Sequence, residues 1–149
     1  MWIDNPGLYS DKETFNVELI NDSLRHVWYH NKEFKFYGSV AFKTHLYHDP
    51  DPGLAAHKAI QYGWIPTTSG VTTGQVADLA KIINIAACLR TNEILAMASG
   101  TTVNNIDMYL PYVAHFLVAT GISKSFYEFD IKLVHQMAQK IKEYNKAHH

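Results

Sequence analysis

The apolar positions of this chain change their period along its length. Phe15, Leu19, Ile20 and Leu24 recur at helical spacing, and Ser10 with Glu13 has the spacing of a capping box. A first helix is therefore expected over residues 11–21. In "FKFYGSVAF" the pattern turns to alternation, with Phe34, Phe36, Val40 and Phe42 on one side and Gly38 between them. That predicts a strand with one apolar face. Residues 24–29 are expected to pair with it as an antiparallel hairpin, joined through "HNKE".

"YHDPDPG" breaks the alternation. Asp51 followed by Pro52 is a helix start: the carboxylate can cap, and proline at the first position loses no hydrogen bond. Leu54, Ala55, Ala59 and Tyr62 continue that helix, and Gly63 suits the position just past its end. "GWIPTTSG" then reads as a loop. It divides the chain into an N-terminal α+β half, residues 1–66, and a C-terminal helical half, residues 67–149, folding together as one domain.

Beyond Thr72 the pattern reads as helical throughout. Helices are expected over residues 73–89, 92–99 and 102–110, with a continuation over 111–119 after Pro111. A last helix carries Leu133, Val134, Met137, Ile141 and Tyr144 on one face, after a second capping box at Ser125 and Glu128. The predicted fold is thus α+β: a small N-terminal antiparallel sheet or hairpin with a helix, followed by a helical bundle.

Within that bundle, "ILAMASGTTVNNIDMYL" resembles the helix-turn-helix class. Gly100 stands at the turn and the small Ala96 four residues before it. Ile106 is the apolar anchor six residues after it, with Leu95 and Leu110 completing a core. The resemblance covers residues 72–110. It implies a trihelical unit meeting double-stranded DNA through Thr102, Asn104 and Asn105, because an asparagine amide matches the edge of adenine. Charge argues against strong binding. Residues 72–119 hold Lys81 and Arg90 against Asp78, Glu93 and Asp107, and phosphate neutralisation supplies most DNA affinity. Basic residues fall later, where Lys140 and Lys142 of the last helix are the candidate backbone contacts.

Composition narrows the remaining classes. Hydrophobic residues make up 47% of the 149, enough for a core, and the net charge of −1 gives no long-range attraction to nucleic acid or acidic membranes. The start of the chain lacks a signal-peptide pattern, and the most apolar stretch, residues 109–122, is too short to cross a bilayer. Cys88 is the single cysteine, which excludes an intrachain disulfide. A soluble cytoplasmic protein without membrane contact is expected.

Histidine is abundant, with nine in the chain; His148 and His149 close it in the manner of a tag remnant. His45, His48, Asp49 and His57, joined by His26 or His30, form a ligand set of the kind that zinc or iron takes. No tight metal motif accompanies them. Aromatic residues crowd the N-terminal half, as a subunit-contact surface would require. The favoured expectation is a small non-enzymatic regulatory or interaction protein, homo-oligomeric, with DNA as first ligand. The alternatives are a metal-dependent protein, including a hydrolase, and a structural assembly subunit.

Overall fold

A computed structural model describes residues 1–43, 48–70 and 76–148. Its centre is one five-stranded sheet in the order β1 (Trp2–Ile3), β2 (Tyr37–Ser39), β3 (Ile65–Thr68), β4 (Ala96–Ala98) and β5 (His115–Leu117). Every neighbouring pair is parallel, and the sheet curves into a half-barrel. Parallel neighbours need crossover connections, which usually carry helices. Here α1 (Phe15–His30), α2 (Pro52–Gln61) and α3 (Leu79–Ala87) fill that role, followed by a 3₁₀ turn (Ile106–Met108) between β4 and β5. After β5 come a second 3₁₀ turn (Thr120–Ile122), a small antiparallel hairpin of β6 (Ser123–Ser125) and β7 (Glu128–Phe129), and α4 (Ile131–His148).

The fold is α/β, which overturns the expectation of an antiparallel hairpin followed by a helical bundle. Residues 24–29 lie inside α1, and Tyr37–Ser39 pairs in parallel with β1 and β3. The helix-turn-helix unit is not formed: Ala96–Ala98 is β4, and His115–Leu117 is β5. The physical reason lies in strand length and burial. A strand of three residues offers no period to read, and an inner parallel strand is a continuous apolar run that mimics a buried helix turn. Two expectations agree with the structure. Leu54 N donates to the Asp51 carboxylate at 3.0 Å at the start of α2, and Gly63 follows that helix at φ +75°.

Paired residues of a parallel ladder point to the same side, so the register assigns two faces. Gly38, Pro66, Met97 and Phe116 face the helices, where Val17, Leu24, Ala56, Ala59, Ile82 and Ile85 build the main core with Phe36 and Trp64. Tyr109 is fully buried in that core, and its hydroxyl donates to Ala77 O at 2.9 Å. Tyr37, Ser39, Thr67, Ala98, His115 and Leu117 line the inner face. α4 packs separately, with Met137 against Ile106 and Leu110. Among the described residues no helix is long and apolar enough to cross a membrane.

Gly38 has a packing reason to be glycine. A Cβ there would stand 2.3 Å from Trp64 Cε3, and Trp64 is wedged edge-on against Phe36 with its Nε1 bonded to Asn21. Gly38→Ala is expected to lower the unfolding free energy by about 1–3 kcal/mol, the usual cost of overpacking, in urea titration.

Candidate functional site

Parallel strands bring all their carboxyl ends to one side, and in such sheets that side is where ligands bind. Three successive strands leave the sheet here through a hydroxyl residue and a glycine: Ser69-Gly70, Ser99-Gly100 and Thr120-Gly121. Each pair follows a small residue or threonine that ends an apolar run. The loops after β4 and β5 border a cleft of about 420 Å³, which Trp2 and Lys43 also line.

The loop after β4 is bent by two successive left-handed residues, Ser99 at φ +73° and Gly100 at φ +76°. Asn105 fixes the bend. Its Nδ2 donates to Gly100 O at 2.8 Å, and its Oδ1 accepts from Thr102 N at 2.7 Å. Neither Gly100 N–H nor Thr101 N–H donates to a described residue. Thr101 lines the cleft, and its Oγ1 is buried without a hydrogen-bond partner among the described residues. A buried hydroxyl left in this way costs free energy unless something pairs with it. The loop after β5 presses on the same backbone: a Cβ on Gly121 would stand 2.0 Å from Thr101 O.

Lys43 supplies the positive charge. It follows β2 at φ +42°, two residues after Ala41 at φ +44°. Its N–H donates to Ser69 Oγ at 2.8 Å. Its Nζ lies 4.0 Å from Asp4 Oδ1 and 4.9 Å from the centre of the Phe42 ring. Below this turn, Lys81 of α3 donates from Nζ to Ala41 O at 3.0 Å and to Ser69 O at 2.5 Å. Burial pulls the Lys81 ammonium below the usual lysine range, with Asp78 pulling the other way.

A second polar pair lies on the inner face. Tyr37 Oη and His115 Nδ1 are 3.1 Å apart, joining β2 to β5 across two intervening strands. Burial lowers the His115 pKa, and the Lys35 charge adds to the effect. The pair borders a larger hollow of about 1060 Å³ at the amino ends of β4 and β5. That hollow lies on the side of the sheet away from the strand-end loops.

The residues expected from sequence are dispersed. Thr102 lines the cleft, whereas Asn105 is buried behind it and spends both ends of its amide on the loop. Asn104 is exposed, Lys140 pairs with Asp107, and Lys142 is exposed. His26 and His30 are exposed on α1, and His57 lies on α2 near the Gln61 amide. His48 is exposed, whereas Asp49 is buried. The Asp49 carboxylate accepts from Ser10 N at 3.1 Å, Ser10 Oγ at 2.5 Å and Asp51 N at 3.1 Å, which ties the N-terminal loop to the start of α2. His45 lies outside the described residues. Among the described residues no three His, Cys, Asp or Glu side chains gather as a metal group. Lys43, Lys81 and Gly121 were missed. For Gly121 the readable signal is the hydroxyl–glycine pair that recurs as Ser69-Gly70, Ser99-Gly100 and Thr120-Gly121.

Comparison with known proteins finds no family, curated protein or solved structure that matches the chain.

Two outcomes follow from this geometry. Asn105→Ala leaves Thr102 N and Gly100 O without their partner, so chemical denaturation should show a loss of about 1–3 kcal/mol. His115 resists protonation when folded, so its contribution to stability is complete above the ordinary histidine pKa of about 6.5 and is lost as pH falls below it. Denaturation midpoints should therefore drop between pH 7.5 and 5.5, and His115→Gln should flatten that slope.

Proposed function

We propose that the chain binds a small phosphorylated molecule in the cleft between the loops after β4 and β5. The observation that carries this reading is the set of donors on residues that line it: the Gly100 and Thr101 N–H groups, which have no described partner, and the Lys43 side chain. Successive N–H groups in a left-handed bend form a concavity suited to an anion, and a lysine beside them adds a full charge. Gly121 supports the reading from the other wall, since its missing Cβ lets the two backbones lie together at the cleft. Parallel barrels commonly hold phosphate in the loops after their last two strands; this is an analogy of architecture only. The apolar walls, from Trp2 to Ala98 and Leu117, suit the carbon portion of such a ligand.

Isothermal titration with inorganic phosphate and with glycerol phosphate tests the proposal. Both should bind, the ester more tightly because its carbon portion meets the apolar wall. Lys43→Ala should weaken binding by about tenfold or more, the worth of one charge-assisted hydrogen bond. Gly121→Ala should weaken it as well by forcing the loops apart. A folded wild-type protein that takes up neither compound at tens of millimolar, on the order of the weakest specific affinities, would overturn it.

A further inference from the structure

Resting on the phosphate reading above, we infer that Lys81 is a positioning residue for that site: it holds the turn that presents Lys43 to the bound anion. The turn is costly on its own. Ala41 and Lys43 both carry positive φ, a region that residues with a Cβ occupy only when their surroundings compel it. Three interactions do so here. Lys81 Nζ draws in Ala41 O and Ser69 O, Thr68 Oγ1 donates to the same Ala41 O at 3.3 Å, and Ser69 Oγ receives Lys43 N–H. Ser69 is fully buried, and the bonds around it are partly buried.

Lys81 stands apart from an ordinary surface lysine. It forms no ion pair among the described residues, and the acceptors it meets are backbone carbonyls of two different strand ends. Its ammonium adds a side-chain link between the ends of the neighbouring strands β2 and β3. A neutral side chain of the same length would fill the space and supply no donor to either carbonyl.

The test compares wild type with Lys81→Met and Lys81→Arg, using inorganic phosphate as the probe and amide exchange of Lys43 as the second readout. Lys81→Met should bind phosphate about tenfold more weakly and exchange the Lys43 amide about tenfold faster, as loss of a supporting contact commonly does. Lys81→Arg keeps the charge and the donors and should recover both to within about threefold. Rescue by arginine separates positioning from packing, since methionine is the better filler of an apolar space. Unchanged phosphate affinity in Lys81→Met, or arginine doing no better than methionine, would overturn the inference. Should Lys81→Met fail to fold, Ser69→Ala removes the acceptor of Lys43 N–H directly and should show the same two losses. A wild type that binds no phosphate would instead fail the reading of the site itself, visible before any variant is made.

Discussion

Parallel pairing is the constraint on which this structure depends. Strands of two to four residues cannot hold a sheet by themselves, and parallel ladders are slightly weaker per residue than antiparallel ones. The stability must come from what covers them. Small residues on α2, with Ala55, Ala56 and Ala59 all fully buried, bring that helix close to the sheet, and Phe36, Trp64 and Tyr109 fill the space around it. The same constraint gathers the strand ends on one side. Chemistry at that edge is therefore a by-product of how the core is made, and the loops need only the right termini to use it.

Those termini are economical. A single buried asparagine spends its amide on Gly100 and Thr102 and so fixes the shape of the loop after β4. A single half-buried lysine bonds the turn after β2 in a corresponding way. In both cases the side chain is occupied with backbone, and the cleft is lined by the loop at Gly100 and Thr101 and by Lys43. The inner face is organised differently. There a tyrosine and a histidine reach across Ala96 and its neighbours, and the smallness of β4 is what allows them to meet.

Local signals were legible in the sequence where chemistry is local. The Asp51-Pro52 start of α2, the glycine after it and the amphipathic last helix were all readable, because capping and helical periodicity are decided within a few residues. The sheet was not. "ILAMA" is a run buried almost throughout and "AHFLV" a half-buried edge, and nothing in so few residues separates a short strand from a turn of helix. The misreading of Ala96 and Ile106 as helix-turn-helix positions came from that ambiguity. The site suffered for the same reason. Asn105 and Thr102 were singled out for their hydrogen-bonding groups, but their partners are backbone atoms whose placement only the fold supplies. Lys43 and Lys81, 38 positions apart by their numbering, both bond to Ser69 only because the fold brings these strand ends together.

The contact between Gly121 and the carbonyl of Thr101 has a consequence for how this protein can vary. At that contact the two loops leave no room for a side chain, so position 121 cannot gain a Cβ unless the backbone at 101 moves. A substitution at 121 would persist only with a matching retreat at 100–102, and the reverse holds as well. In a lineage of such chains the ends of β4 and β5 would be inherited as a single unit, while the exposed tip at Phe126 and Tyr127 a few residues later is free to drift.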